Sequence, residues 1–214
     1  MDDTCIVVFT RAPDTTSAKT RLAPLLGQAE ASRLHSALVR RAIRTALATE
    51  PGRIIVSVAV DAPSSRPLSA SFPDFPDSRM DYLPQVGPDL GSRMDHALTS
   101  ALEHHAKALL MGTDCPAITP ALLRDADNAL SGNSDAVFIP VDDGGYVLVG
   151  LRRSDPVLFA EISWGTDRVM IETRERMSEL GWRWHELAPL WDVDRPEDYE
   201  RLQRSGMLAD ILAN

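Results

Sequence analysis

Cysteine is nearly missing from this chain: 214 residues hold two, Cys5 and Cys115, far apart. That excludes a disulfide framework and cysteine-based metal clusters, and both read as small buried hydrophobes in a compartment that keeps thiols reduced. Long apolar runs are missing too. The longest, residues 5–9 and 108–111, fall well short of the roughly 20 residues that cross a bilayer, so no membrane span is expected. Met1-Asp2-Asp3-Thr4 has neither the basic segment nor the apolar core of a secretion signal, and a cytoplasmic location is expected. Basic charge is in deficit: 22 Lys and Arg face 31 Asp and Glu, a net charge of -9. Such a balance repels nucleic-acid backbones, and no local basic patch offsets it, so nucleic acid is not an expected partner. Lysine itself is scarce, only Lys19 and Lys107 in a chain that otherwise uses arginine. A lysine in a polar loop therefore stands out. Repeats, low-complexity tracts and charge blocks are absent.

What is present is an ordinary globular composition, 44% hydrophobic and 25% charged, which excludes extensive disorder and allows a sizeable core without staples. Residues 5–10 form a β-branched apolar run, as expected for a strand buried on both faces. From Gln28 to about Thr49, Leu34, Leu38, Val39, Ala42, Ile43, Ala46 and Leu47 recur at helical spacing, ended by Pro51-Gly52. Residues 54–60 read as a second buried strand, completing a βαβ unit. Residues 62–88 hold six of the fifteen prolines, an irregular stretch with a strand near residues 80–83. The α/β alternation continues through it. Met94, Ala97, Leu98, Ala101 and Leu102 mark a helix, and residues 108–112 a strand. Thr119-Pro120 opens a helix carrying Leu122, Leu123, Ala126 and Leu130. Residues 136–141 and 146–151 are strands around Asp142-Asp143-Gly144-Gly145, the one place that favours antiparallel pairing. Thr166 is placed to cap a helix, residues 184–187 form a last strand, and Asp194-Arg195-Pro196-Glu197 opens a C-terminal helix. The pattern predicts one α/β domain over residues 1–214, three layers around a mostly parallel sheet.

Open α/β sheets bind ligands at the carboxyl ends of their strands. Arg11 and then Lys19-Thr20-Arg21 follow the first strand, Asp114 the fourth and Asp142-Asp143 the fifth, while Asp192 and Asp194 precede the last helix. Cations on one loop and carboxylates on several suit a diphosphate bridged by Mg or Mn. Plain structural alternatives exist: a solvated pair for Lys19 and Arg21, an N-cap for Asp194, a turn for Asp143-Gly144. Asp114 has less structural excuse, because the helix beyond it already has Thr119 as its cap. The five histidines, His96, His104 and His105 among them, sit on helices at no ligand spacing and read as surface or satisfied core residues. Packing is the default reading of Trp164, Trp182, Trp184 and Trp191, with stacking on a base or sugar the alternative.

Taken in order, Phe9-Thr10-Arg11-Ala12-Pro13, Lys19-Thr20-Arg21-Leu22, Gln85 with Asp89-Leu90-Gly91-Ser92-Arg93-Met94, Gly112-Thr113-Asp114-Cys115-Pro116, Asp143-Gly144-Gly145-Tyr146, Trp164-Gly165-Thr166 and Asp192-Val193-Asp194-Arg195-Pro196-Glu197-Asp198 form a recognisable series. It resembles the bacterial arsenosugar-biosynthesis-type glycosyltransferases, also called selenodomain-associated transferases, over residues 5–202. The resemblance implies the Rossmann-like GT-A, or nucleotide-diphospho-sugar transferase, fold. It also implies kinship with phospholactate and molybdenum-cofactor guanylyltransferases.

The implied roles are specific. Thr10, Arg11, Lys19 and Arg21 would hold the nucleotide and its phosphates, with Gln85, Leu90, Gly91 and Arg93 meeting base and ribose. Asp114 matches the metal-binding aspartate, and Asp194, preferred over Asp192, supplies the second ligand for Mg or Mn. Asp143 would act as base or acceptor orienter beside Lys19 and Asp114, and Gly144, Gly145, Tyr146, Trp164 and Thr166 would face a small-molecule acceptor. The family's glycine three positions before the lysine is here Thr16, in the run Thr15-Thr16-Ser17. That disfavours tight cradling of a triphosphate. The expected activity is metal-dependent transfer from a nucleotide-diphospho-sugar donor. Transfer of a nucleotidyl group from a triphosphate to a phosphorylated acceptor, releasing pyrophosphate, is the first alternative, and a non-catalytic nucleotide-binding protein the second.

Overall fold

The computed structural model describes residues 1, 3–13, 18–60 and 67–213. Seven strands form one sheet: β1 (Thr4–Arg11), β2 (Arg53–Ala59), β3 (Met80–Pro84), β4 (Lys107–Gly112), β5 (Ala136–Pro140), β6 (Tyr146–Leu151) and β7 (Trp184–Glu186). Their order is β3-β2-β1-β4-β6-β5-β7. The pairs β1 with β2, β1 with β4, β2 with β3 and β5 with β7 are parallel, while β6 runs antiparallel to both β4 and β5. Antiparallel pairing thus arises where the turn at residues 142–145 predicts it, and β6 also wedges between two strands that run the other way.

Alternation along β1 explains the three layers. Ile6 and Val8 belong to one core with Val39, Ile43, Leu123 and Leu130, whereas Cys5 and Val7 belong to another with Met94, Leu98, Met170 and Met177. Successive side chains of a strand point to opposite faces, so a strand apolar at every position needs cover on both. One face is covered by α2 (Gln28–Leu47) and α4 (Pro120–Ser131), the other by α3 (Leu90–Leu102) and α5 (Val169–Glu179). The short α1 (Ala23–Leu26) precedes α2. Outside α2, α6 (Pro196–Arg204) and α7 (Met207–Ala213) close a third cluster through Leu34, Leu38, Leu202 and Ile211. Each such fully buried aliphatic side chain contributes about 1.5–3 kcal/mol.

The proline-rich stretch packs where it is described: Phe72 stacks on Tyr82 of β3 at 5.0 Å between ring centres. Cys5 and Cys115 are free and buried. Lys107, the second rare lysine, is structural, its Nζ lying 2.6 Å from Asp127 Oδ1 at the amino end of the sheet, where Thr4 also donates to Asp127.

Helix starts depart from expectation in instructive ways. Asp89 caps α3, with the Ser92 amide donating to its Oδ1 at 2.8 Å and the Asp89 amide to Ser92 Oγ at 3.2 Å. The segment expected to meet base and ribose is therefore itself a helix N-terminus. Thr166 does not cap a helix. Its hydroxyl accepts from the Arg168 amide at 3.2 Å in a turn, and α5 starts at Val169. Asp194 is not a cap either. Asp198 receives the amides of Asp194 and Arg195 at 3.1 and 2.8 Å, which leaves the Asp194 carboxylate free for other partners. Among the described residues, no helix is long and apolar enough to cross a membrane.

Candidate active site

Register brings the carboxyl ends of β1, β2 and β4 together, with Arg11 opposite Ala59 and Phe9 opposite Gly112. A cavity of about 560 Å³ opens there. Thr10, Arg11, Lys19, Arg21, Gln85, Leu90, Arg93, Asp114 and Asp194 all line it. Thr15-Thr16-Ser17 lies outside the described residues.

The candidate cations and carboxylates hold one another. Lys19 is nearly sealed, its side chain 3% exposed, and its Nζ sits 2.7 Å from Asp114 Oδ1 while also donating to the Val193 carbonyl. Asp114 is more open, with 44% of its side chain exposed. Its carbonyl takes the Val193 amide at 2.9 Å, which ties the end of β4 to the segment before α6. Arg21 Nη1 meets Asp194 Oδ2 at 2.5 Å. Lys19 also has a φ of 55°, a left-handed backbone that costs a side-chain-bearing residue about 1–2 kcal/mol. The loop accepts that strain to bury an ammonium against a carboxylate.

Other candidates divide between ligand-facing and scaffolding roles. Gln85 Nε2 donates to the carbonyls of Thr10 and Ser57, at 3.2 and 3.1 Å. With both partners acceptors, the amide orientation is fixed, and Oε1 remains as its acceptor for a ligand. Arg93 Nε holds the Gly87 carbonyl at 2.9 Å. Gly91 is buried and does not line the cavity. A Cβ there would stand 2.6 Å from the Phe159 carbonyl and 3.0 Å from Trp164 Nε1, so its bareness serves packing of α3 rather than approach of a nucleotide.

A second pocket, about 260 Å³, adjoins the first across Leu90. Asp143, Gly145, Tyr146, Trp164 and Thr166 line it, the acceptor group expected from sequence save Gly144. Gly144, at φ 89°, touches the turn before α5, where a Cβ would stand 2.3 Å from the Asp167 carbonyl. The Met170 amide donates to the Gly144 carbonyl at 2.8 Å. The Tyr146 hydroxyl is buried, and burial pushes its acidity far down. Its ring lies edge-on to Phe138 and Trp164, so it offers ring surface and not a hydroxyl. Asp143 Oδ1 accepts from the Gly145 amide at 3.1 Å.

One residue of the site escapes sequence reasoning, and another, Asp192, is read there only as the lesser candidate for the second metal ligand. His35, on α2 beside the apolar stripe of Leu34 and Leu38, is 3% exposed and lines the larger cavity with its Nε2 unpartnered. Burial lowers its pKa, the Asp114 charge raises it, and Lys19 lowers it again. Its position on the inner face of a strongly amphipathic helix was the available signal. Asp192 lines the smaller pocket. Burial, then the charges of Asp143 and Asp114, push its pKa up to about 6, against the pull of Lys19.

Among the described residues no three His, Cys, Asp or Glu side chains converge as a ready-made metal cage. That suits Mg or Mn, which take one or two carboxylates and complete their shell with phosphate oxygens and water. Asp114 and Asp194 are hard oxygen donors on one cavity, and His35 beside them leaves its buried Nε2 without a protein partner. The residues fit.

A protein from Desulfovibrio desulfuricans G20, provisionally named a nucleotide-diphospho-sugar transferase, is 30% identical, with 98% of this chain and 90% of that one covered and a TM-score of 0.86. Rv0371c from Mycobacterium tuberculosis H37Rv, in complex with manganese, is 19% identical over 95% of this chain and 99% of its own, at a TM-score of 0.59. A nucleotidyl transferase from Methanothermobacter is 14% identical over 98% and 100%, at 0.63. These two share the fold. Nothing among curated proteins matches. Residues 42–166 match the family described as an uncharacterized protein conserved in bacteria (DUF2064), and the chain belongs to that family, on the α/β fold of nucleotide-diphospho-sugar transferases and nucleotidyltransferases.

Proposed function

We propose that this protein is a glycosyltransferase of the arsenosugar-biosynthesis type, a single domain that moves a sugar from a nucleotide-diphospho-sugar to the hydroxyl of a small acceptor. The observation that carries the reading is the adjacency of a cavity holding paired cations and carboxylates with a second pocket that has carboxylates and aromatic walls, separated by Leu90. Arg11, Lys19 and Arg21 hold the donor diphosphate, and Gln85 Oε1 accepts from the base. Asp114 and Asp194 hold Mg or Mn, which when bound supplies positive charge to the leaving diphosphate. In the transfer the acceptor oxygen bonds to the anomeric carbon, whose bond to the diphosphate oxygen breaks, and the nucleoside diphosphate leaves with that electron pair. The hydroxyl proton passes to a carboxylate of the second pocket, Asp143 or Asp192. Asp192, with its raised pKa, matches a base that works near neutral pH.

The ion pairs imply coupling. A cation arriving alone at Asp114 would strand the buried Lys19 ammonium, and a diphosphate arriving alone would strand two carboxylates. Arriving together, they exchange partners without leaving a charge unpaired. Calorimetric titration of Mn and nucleoside diphosphates, separately and together, should show each raising the affinity of the other at least tenfold, about 1.4 kcal/mol, with Asp114→Asn losing the enhancement. Mn with a nucleotide sugar should release nucleoside diphosphate slowly even without acceptor, because water can stand in for the hydroxyl. Pyrophosphate release from a triphosphate with a phosphorylated acceptor, and no binding of any nucleotide sugar, would overturn the reading in favour of nucleotidyl transfer.

A further inference from the structure

The charge of the smaller pocket is one-sided. Asp143 and Asp192 line it, and none of its lining residues is Lys, Arg or His. Basic residues nearby are engaged: Arg168 Nε binds Glu172 at 2.9 Å, and Arg201 binds Asp142 at 2.9 Å while stacking on Trp191. Lys19 and Arg21 belong to the neighbouring cavity and are held by Asp114 and Asp194. Most of the remaining wall is apolar or aromatic, from Leu90, Met94, Val141, Tyr146, Trp164 and Val169, with Thr166 its one other polar side chain. At about 260 Å³, the space holds roughly eight or nine water-sized groups at about 30 Å³ each, the scale of a small alcohol and not of a polymer.

We propose that this pocket selects an acceptor without negative charge: a small neutral or cationic alcohol that lays an apolar face against Trp164 and Tyr146 and points its hydroxyl at the carboxylates. A phosphate or carboxylate here would face two like charges in a partly desolvated space, with no cationic side chain in the lining to offset the repulsion. An ammonium group instead gains from the carboxylates and from the aromatic faces. The acceptor assignment rests on the sugar-transfer reading. The charge preference is a property of the pocket itself and separates that reading from transfer to a phosphorylated acceptor.

The test uses the full chain saturated with Mg and a nucleoside diphosphate, so that the larger cavity is closed to competing anions, and follows the Trp164 indole N–H signal in a heteronuclear NMR spectrum, assigned through Trp164→Phe. Choline, glycerol and glycerol 3-phosphate are titrated at matched ionic strength. Choline should move the indole signal at a concentration at least tenfold lower than glycerol 3-phosphate, with glycerol between them, and Thr166→Lys should narrow or reverse the gap. Equal or stronger response to glycerol 3-phosphate overturns the proposal, and so does an indole silent to all three. If the preference holds while no nucleotide sugar yields nucleoside diphosphate, the transfer reading falls and the charge selectivity of the pocket stands.

Discussion

Asp192 shows how position can turn a plain carboxyl into a pH-dependent element. Its pKa of about 6, against an ordinary 3.8, means that the folded state holds this proton more tightly than the unfolded chain. Below both values the proton is present either way. As pH rises through 6 the folded state must accept an ion that burial, Asp143 and Asp114 all oppose, so stability falls. In metal-free protein, Asp192→Asn should therefore raise the melting temperature at pH 8 and leave it unchanged near pH 4. The full shift converts to roughly 3 kcal/mol, which partial exposure reduces to on the order of 1–2 kcal/mol, or about 2–8 °C for a chain of this size. Thermal melts across pH would read it, and an equal gain at pH 4 would refute the assignment. That Asp114, Lys19 and Arg21 share one cavity was legible in sequence, Asp114 as a charge directly after a buried strand and Lys19 and Arg21 as cations, one of them a rare lysine, on the loop after the first strand. His35 was not, and Asp192 was read only as a rival to Asp194 for a metal, since what distinguishes both is burial beside distant residues, and residue spacing does not encode that.

At the level of elements, the α/β alternation was readable because its strands are apolar at nearly every position and its helices carry clean stripes. Helix starts were less readable. Asp194, Thr166 and Asp89 are all residues that favour caps, and only Asp89 caps the helix that follows it. Which one does so is decided by competing partners: Arg21 for Asp194, and the Ser163 carbonyl and Arg168 amide for Thr166. The start of α3 also sets a wall of the smaller pocket, because Gly91 lets the helix touch Phe159 and Trp164. Gly91→Ala puts a methyl 2.6 Å from a backbone carbonyl and should cost about 1–3 kcal/mol as overpacking. Because Trp164 lies on both sides of that contact, the variant should weaken acceptor binding while nucleoside-diphosphate affinity stays within about twofold. Denaturant melts and paired titrations would show whether the two effects separate this way.

Across the whole molecule, the larger cavity's residues from Phe9 to Asp114 precede α4, and the smaller pocket's polar residues from Asp143 to Asp192 follow it, with Asp194 returning to the larger cavity. A chimera carrying residues 120–192 of the Desulfovibrio relative should keep this chain's nucleotide preference and take on that relative's acceptor preference. Product analysis against a shared panel would detect it, and a switch in nucleotide preference would refute it. The reversed strand β6 makes this possible. By returning between β4 and β5, it places the turn at residues 142–145 at the same rim as the loops that line the larger cavity while closing a hairpin whose sequence is continuous. On the proposed reading, two specificities share one rim yet are written in separate stretches of chain, so mutation and recombination could alter the acceptor that is modified without altering the donor that is spent.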